Sequence, residues 1–444
     1  MASSNPPDLK RLVPWINYLI FFAVLNETVF NVSTIKVQEQ YGLTEAGVSW
    51  MMTVFMVCFA IGMVVFGRLS DLFAARRLVL IGILTYAAGS LAGFLLQFSY
   101  PLVLASRAVQ GVGCSAIPAL VFAMVAKYYE PGERGRLFGF ITSTVSFSVA
   151  LGPVIGGLVS GTLHWSFLFL IPLATLAAIP AFRRILPREA RKAGGVDLMG
   201  GALVAATVAG LVLFLNLGDW RYGFGALAAF AGLLARLFTA REPFIDPFLF
   251  RNGRYVVGVV AAGGLFTFVL GAVFMIPLLL KSVHGLEARG IGLVLFPGAL
   301  IGAFLGPWGG SLADRRGNPF VIATGFLLLA LGLSAMGFFL AASPWVILVA
   351  LVPFYVGFAF SQTALVNSVT QVLSPEKSGT GMGVFNLLGT LAGAVGMAFV
   401  GKILTLHGRG APLFEAFMLA FALGLLALGG LFLWTFRKRP VNAE

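Results

Sequence analysis

A single carboxylate, Glu27, interrupts the first long apolar run of this 444-residue chain, in the stretch LNETVFNVS. A carboxyl group surrounded by hydrocarbon binds a proton more readily than one in water, because its charged form loses hydration. Among the 17 acidic residues of the chain, Glu27 is the one that falls deep within an apolar run. The position predicts a proton-coupling group. The alternative is a neutral, hydrogen-bonded Glu that holds helices together.

One basic residue, Arg107, also lies inside an apolar run, in LASRAVQGVG. A guanidinium buried in a bilayer is costly, which predicts a partner and a role in proton coupling. The alternative is a side chain that reaches back to the membrane surface. Other side chains are predicted to contact substrate, although polar residues in spans also join helices. These predicted substrate-binding residues are Asn31, Gln110, Gln362, Asn386 and Phe55.

The elements that must position these residues are membrane helices. Hydrophobic residues make up 59% of the chain and charged residues 11%, which is too little charge for a soluble surface. Runs of about 20 apolar residues, the length that crosses the hydrocarbon core as a helix, recur along the chain. They predict an all-α polytopic membrane protein with fourteen spans. These lie near 13–35, 47–67, 78–97, 101–126, 137–160, 164–182, 198–217, 222–240, 256–280, 290–309, 319–341, 345–371, 379–404 and 412–436.

The basic residues predict the orientation of the chain. Of the 30 Lys and Arg residues, 23 fall in the segments that are cytoplasmic if the N-terminus is, six fall in the outer segments, and Arg107 lies in a span. The positive-inside rule therefore places both termini in the cytoplasm, in a multi-pass protein of the cytoplasmic membrane. The net charge of +13 is explained by topology and lipid contact rather than by nucleic-acid binding.

Two basic segments predict the domain boundaries. RRILPREARKAGG, at 183–195, follows six spans, and AREPFIDPFLFRNGR, at 240–254, follows two more. We therefore expect a six-helix domain at 1–190, a two-helix insert with its linkers at 191–250, and a second six-helix domain at 251–444. No loop is long enough for a soluble sensor domain, and no obligatory protein partner is expected.

A short motif occurs twice, each time after the second span of a six-span half. GRLSD, at 67–71, precedes a pair of arginines, and GSLAD, at 310–314, precedes another. The glycine permits close helix approach, and the aspartate is placed to favour the N-terminus of a neighbouring helix. The repeat favours a gate over an ordinary loop that carries positive-inside charge. The predicted gating residues are Gly67, Asp71, Arg76, Arg77, Asp314 and Arg315.

The fifth span carries SVALGPVIGG, at 148–157. Gly152, Gly156 and Gly157 predict tight helix crossing, and Pro153 predicts a kink because it removes a backbone hydrogen bond. The alternative is the ordinary glycine packing that is frequent in membrane helices.

In this order and on these spans, the motifs resemble the drug/proton antiporters of the major facilitator superfamily, in the branch with fourteen spans. LNETVFNVS, FGRLSD, SRAVQGVG, IPALVFAMVAKY, HWSFLFLIP and LADRRG are similar to the class K and class L tetracycline efflux proteins. The resemblance implies export of tetracycline. Four positions depart from the pattern: a basic residue is replaced by Leu72, a glycine by Ala74, and acids on spans five and thirteen by Val149 and Gly393.

The expected function is therefore export of a drug-like molecule in exchange for protons, with the Mg²⁺ complex of tetracycline as one candidate substrate. The alternatives are a multidrug or monovalent-cation antiporter, or an uncoupled facilitator or lipid transporter of the same fold. No Walker A motif, metal-ligand spacing or catalytic triad is recognisable, so we expect no enzyme, no metal site and no cofactor other than the coupling proton.

Overall fold

The computed structural model describes residues 11–187, 195, 197–240, 243–286, 288–374, 377–407 and 410–437, and within this part the regular structure is helical. The helices of the first half are α1 (Leu12–Tyr41), α2 (Glu45–Leu72), α3 (Ala75–Leu95), α4 (Tyr100–Tyr128), α5 (Pro131–Thr162), a 3₁₀ helix (Trp165–Ala178) that continues as α6 (Ile179–Ile185), α7 (Leu198–Leu217) and α8 (Trp220–Thr239). Those of the second half are α9 (Phe248–Arg251), α10 (Gly253–His284), α11 (Ala288–Arg316), α12 (Asn318–Phe338), α13 (Pro344–Gln371), α14 (Ser378–His407) and α15 (Ala411–Arg437).

Fourteen helical segments in the described part are long and apolar enough to cross a membrane, with the 3₁₀ helix and α6 forming one of them. The predicted all-α architecture with fourteen spans is confirmed. Many helices extend beyond their predicted spans. For example, α1 continues to Tyr41, because a helix does not have to end where the hydrocarbon does.

The sixth span is less regular than its apolar composition predicts. Its first fourteen residues form a 3₁₀ helix that contains Pro172, although runs of more than a few residues are uncommon in this conformation. Pro172 has no N–H to donate and its ring crowds the preceding turn, so an undisturbed α-helix is disfavoured here. The 3₁₀ helix packs against α1 and α3.

Local signals set the ends of the α7–α8 hairpin. The Asp197 side chain accepts a hydrogen bond from the Gly200 N–H at 3.0 Å and so starts α7. Gly218 ends this helix with φ of +69°, a left-handed conformation that glycine adopts without steric cost. Asp219 then accepts a hydrogen bond from the Arg221 N–H at 3.0 Å and starts α8. Side-chain caps of this kind satisfy N–H groups that the first helical turn leaves without partners.

The chain divides into two compact units. Unit 1 comprises Met1–Tyr129, Ser148–Pro247 and Ser374–Leu387, and unit 2 comprises Glu130–Phe147, Phe248–Leu373 and Leu388–Glu444. In unit 1, buried apolar side chains of α1, α2, α4 and the sixth span form one core, which includes Phe30, Met51 and Phe169. In unit 2, α12 and α13 pack closely: a Cβ added at Gly357 would lie 2.5 Å from the Gly325 carbonyl oxygen. The three-segment division at 1–190, 191–250 and 251–444 stays a prediction.

Candidate functional site

Glu27 lies on α1 of unit 1, about midway along the helix. Its side chain is partly exposed, whereas its neighbours Asn26 and Val29 are fully buried. Within the described part of the chain, Glu27 makes no hydrogen bond or ion pair, but the charge of Arg107 acts on it. Glu27 is therefore a partly exposed acidic residue inside a span, with a cation nearby.

Arg107, on α4, is fully buried. Its guanidinium carbon lies 4.4 Å from the centre of the Phe30 ring and 4.2 Å from that of Phe55. Its Nε donates to the Met51 carbonyl oxygen at 3.3 Å, and its Nη1 donates to Gln110 Oε1 at 3.0 Å. Aromatic faces and neutral oxygens thus hold the cation, since no carboxylate of the described residues lies within ion-pair distance.

A chain of polar contacts continues from Arg107 across three helices. Gln110 is fully buried and donates from Nε2 to Ser90 Oγ on α3 at 2.8 Å. The Tyr86 hydroxyl donates to the Phe22 carbonyl oxygen on α1 at 3.3 Å, and the charges of Arg107 and Glu27 act on Tyr86. Both ends of the Gln110 amide are used inside the protein, so its predicted contact with substrate stays a prediction.

Glycines bring α4 close enough to its neighbours for these contacts to form. A Cβ added at Gly111 would lie 2.5 Å from the Phe55 carbonyl oxygen on α2, and one at Gly113 would lie 2.2 Å from the Tyr86 nitrogen on α3. Real Cβ contacts do not reach these distances, so each position accommodates only glycine without a backbone shift. The SRAVQGVG motif therefore supplies a charged side chain together with the packing that buries it.

The glycines of the fifth span pack on α1 next to Glu27. A Cβ added at Gly152 would meet Thr28 Oγ1 at 1.9 Å, and one at Gly156 would meet the Val29 carbonyl oxygen at 2.2 Å. Gly157 is partly exposed, and the side chain of Pro153 lies outside the described set. At Gly152 and Gly156, α5 therefore lies close to the turn of α1 that carries the carboxyl group.

Asp71, at the end of α2, contacts the N-terminus of α14 within unit 1. Its carboxylate accepts hydrogen bonds from the backbone N–H groups of Gly379 and Thr380, both at 2.9 Å, and from the Thr380 hydroxyl. Gly67 permits the approach, since a Cβ there would lie 2.6 Å from the Gly379 carbonyl oxygen. An acid at a helix N-terminus satisfies free N–H groups and favours the positive end of the helix dipole.

The second copy of the motif makes a related contact within unit 2, slightly further into the helix that it binds. Asp314, near the end of α11, accepts hydrogen bonds from the backbone N–H groups of Gly135 at 3.1 Å and Arg136 at 2.9 Å, in the first turns of α5. A Cβ at Gly310 would lie 2.0 Å from the Gly135 carbonyl oxygen. In each copy, a glycine four residues before the aspartate lets the two helices touch.

The paired arginines do not bind these aspartates. Arg76 is partly exposed, whereas Arg77 and Arg315 are exposed, and none of the three forms an ion pair within the described residues. The cation that acts on Asp71 is Arg68, three residues earlier on α2. The gating roles of Arg76, Arg77 and Arg315 stay predictions.

The remaining predicted residues lie in different surroundings. Phe55 is buried against Arg107, and Asn386 donates to the Met382 carbonyl oxygen of its own helix at 2.9 Å. Gln362, on α13 of unit 2, has a buried Oε1 that finds no hydrogen-bond partner among the described residues. The side chain of Asn31 lies outside the described set. The substrate-binding roles of these residues stay predictions.

Two features around Glu27 and Arg107 were not predicted from the sequence. Phe30 covers one face of Arg107, and its position three residues after Glu27 places it on a neighbouring part of α1. Asn26 is fully buried, and within the part of the chain that the structure describes neither polar atom of its amide has a hydrogen-bond partner. Such a lack is costly for a buried polar group. The run LNETVFN, which has several polar residues within an apolar segment, was the only sequence signal for either feature.

The structure also describes Val149 and Gly393, the two positions at which the similar tetracycline exporters carry acids. Val149 is 45% exposed, so an acid there would not be enclosed by unit 1. A Cβ at Gly393 would lie 2.4 Å from Leu270 Cδ1, so a larger side chain would require Leu270 to move.

Comparison with known proteins gives the family. The sequence profile of the Major Facilitator Superfamily matches residues 16–397. The chain is 26% identical over 390 residues to the riboflavin transporter RibZ of Clostridioides difficile, covering 86% of this chain and 85% of RibZ. It is 26% identical over 375 residues to multidrug resistance protein 3 of Bacillus subtilis, covering 80% of this chain and 72% of that protein.

A solved structure shows the same fold. The crystal structure of the human organic anion transporter MFSD10 superposes with a TM-score of 0.72 at 20% identity, covering 96% of this chain and all of the other. A transporter fold over almost the whole chain and a family profile over most of it agree with the helices and motifs described above. This chain belongs to the major facilitator superfamily and is a transporter rather than an enzyme.

Proposed function

We propose that this transporter exports amphipathic, drug-like molecules across the cytoplasmic membrane in exchange for protons, with both chain termini in the cytoplasm. The observation that carries the proposal is Glu27, an acidic residue within a span, whose carboxyl group experiences the charge of Arg107. The name of one relative, multidrug resistance protein 3, supports a drug-like substrate. No partner other than substrate, protons and membrane lipids is required.

Glu27 performs the exchange in this proposal. Where the site faces the outside, its carboxylate takes up a proton and substrate leaves. Where the site faces the cytoplasm, the proton is released and a new substrate binds. Arg107 favours the ionised carboxylate by charge attraction, since opposite charges nearby stabilise each other. Proton and substrate therefore compete for one site, which is the requirement for an antiporter.

Two aspartate contacts gate the cycle. Asp71 holds the N-terminus of α14 and Asp314 holds the N-terminus of α5. Alternating access requires helices to move as groups between discrete arrangements. Contacts made through glycines and helix-capping carboxylates are suited to this, because they are specific when formed and involve few side chains. Release of these contacts accompanies opening in our proposal.

The geometry of the site does not select one substrate, so an experiment must identify it. Everted membrane vesicles with an acid interior are given tetracycline with Mg²⁺, then cationic dyes, then riboflavin, then sodium or potassium ions, while the pH gradient is followed. Dissipation by tetracycline would assign the drug itself, and dissipation by dyes alone would assign a multidrug exporter. Dissipation only by monovalent cations would contradict a drug substrate.

One variant tests proton coupling separately from substrate binding. Glu27→Gln keeps the size and hydrogen-bonding capacity of the side chain but cannot exchange a proton. We expect this variant to fold and to bind substrate, while substrate no longer dissipates the gradient. Full proton-driven transport by Glu27→Gln would refute the proposal. Transport that ignores the gradient in the unmodified protein would instead favour an uncoupled facilitator.

A further inference from the structure

The base of the α7–α8 hairpin holds the chain that follows it. Asp197 accepts three hydrogen bonds from the Arg236 guanidinium at 3.1 to 3.3 Å, in addition to the one from the Gly200 N–H. The backbone N–H of Phe244 also bonds to Asp197. Phe244 is buried, and a Cβ at Gly200 would lie 2.8 Å from it. The hairpin thus fixes a segment four to five residues beyond α8.

Two residues further on, this segment contacts the residue directly before α14. Asp246 forms an ion pair with Lys377 at 2.5 Å, and the side chains are 28% and 45% exposed. The two residues are distant in sequence but both belong to unit 1. The contact therefore connects the linker of the two-helix insert to the segment directly before α14.

Lys377 is at the N-terminus of α14. Its carbonyl oxygen accepts the hydrogen bond from the Gly381 N–H at 2.9 Å, which is the first bond of the helix. A lysine has no acceptor for the free N–H groups that follow, and its charge is unfavourable at the positive end of a helix. Asp246 neutralises that charge. Asp71 takes the N–H groups of Gly379 and Thr380, two and three residues after Lys377.

We propose that the two-helix insert stabilises the gate, with Asp246 and Lys377 acting as positioning residues that hold the N-terminus of α14 where Asp71 binds it. In this proposal the insert contributes to the transport cycle and does not only connect the helices before and after it. This inference rests on the proposed function for its role in transport, but the physical coupling of the two contacts exists without substrate. The coupling is therefore measurable on its own.

The experiment uses the full-length protein in lipid vesicles, without substrate or gradient. Ser70→Cys places a thiol on α2 beside Gly379, since a Cβ at Gly379 would lie 1.9 Å from Ser70 Oγ. The rate at which a maleimide modifies this position is measured by mass spectrometry of its peptide, which separates it from Cys58 and Cys114. Slow modification reports a closed contact between α2 and α14.

Four variants are made in that background. We expect Asp246→Asn and Lys377→Gln each to raise the modification rate by about tenfold, within the range of ordinary coupling energies. The double variant is expected to be no faster than either single variant, because both remove the same interaction. Lys377→Arg is expected to stay within about twofold of the unmodified rate, because it keeps the charge.

Lys36→Gln is the matched control, since it breaks the exposed ion pair between Lys36 and Glu39 on α1, and it is expected to change nothing. Unchanged rates in both single variants, or additive effects in the double variant, would overturn the inference. Lower thermal stability with unchanged modification would also overturn it, since the insert would then serve folding alone. Failure of the proton-coupled exchange in vesicles would leave these rates unaffected.

Discussion

The carboxylate of Asp71 accepts the backbone N–H of Gly379 at 2.9 Å, so a side chain of α2 caps α14 from outside that helix. The residue directly before α14 is Lys377, whose side chain has no acceptor to offer as a cap. Two N–H groups in the first turn of α14 are bound by this carboxylate of α2. A helix that takes part of its cap from another helix changes its stability when the two separate.

This dependence predicts the effect of Asp71→Asn. The substitution removes the charge and replaces one acceptor oxygen by a donor that faces N–H groups, and hydrogen bonds to a charged group contribute about 1.5–3 kcal/mol each. We expect substrate export to fall by at least about tenfold at unchanged expression, measured as initial rates in vesicles. The same change at Asp314 is expected to act in the same direction.

Asp219→Asn is the control for both, because Asp219 also caps a helix but does so within its own chain segment, at the start of α8. Export by this variant is expected to match that of the unmodified protein. Equal losses in all three variants would mean that the carboxylates serve helix stability in general rather than the contacts of α2 and α11.

The glycines of α5 predict a second pair of variants. In Gly156→Ala, the new Cβ would lie 2.2 Å from the Val29 carbonyl oxygen, whereas nothing lies within 4 Å of a Cβ at Gly161 on the same helix. Overlap with backbone cannot be relieved by a rotamer change, so α5 and α1 must move apart next to Glu27. We expect Gly156→Ala to lose export and lower the thermal unfolding midpoint, measured on the purified protein.

Gly161→Ala is expected to leave both export and the midpoint unchanged or to raise the midpoint slightly, because alanine favours a helix over glycine by up to about 1 kcal/mol. If both variants behaved alike, the loss would reflect α5 itself and not its contact with α1.

The surroundings of Arg107 predict that lysine cannot replace it. A lysine keeps the charge but lacks the planar fork that lies between Phe30 and Phe55 and donates to Met51 and Gln110. We expect Arg107→Lys to destabilise the folded protein by about 2 kcal/mol, as measured by denaturant unfolding. Arg221→Lys is the comparison, since Arg221 also lies beside an aromatic ring, that of Trp220, but is exposed. A loss of similar size in both variants would argue against the ring contacts of Arg107.

A pH dependence follows from Asp197, outside the spans. Burial alone would raise the pKa of its carboxyl group, but hydrogen bonds from Gly200 and the Arg236 guanidinium hold this pKa below its ordinary value. Since the unfolded chain has the ordinary pKa of about 3.9, the contribution of Asp197 to stability is full above that pH. It is lost as the pH falls through the lower pKa of the folded state.

Asp197→Asn removes this contribution at every pH. The difference in thermal unfolding midpoint between the unmodified protein and the variant is therefore expected to be constant above about pH 5 and to shrink below about pH 4. A difference in midpoint that grew as the pH fell would contradict a lowered pKa of Asp197 in the folded protein.

The sequence predicted the elements and the charged residues better than it predicted their partners. Glu27 and Arg107 stand out because charged groups are rare in apolar runs. The two copies of the Gly-x-x-x-Asp motif, which contain Asp71 and Asp314, indicated where a helix N-terminus would be contacted. Phe30, which covers Arg107, is one of 42 phenylalanines, so residue type could not identify it. Asp246 and Lys377 belong to separate loops, and their pairing depends on packing that periodicity does not encode.

The burial of Arg107 has an electrical consequence. Its positive charge is held by rings and neutral oxygens, with no carboxylate of the described residues in ion-pair contact. When Glu27 is ionised, the pair carries no net charge. When Glu27 is protonated, one positive charge remains inside unit 1. A membrane potential does work of about 2.3 kcal/mol on each charge moved through 100 mV. In the proposed cycle, voltage therefore acts on the same step as the proton gradient, without a dedicated voltage-sensing helix.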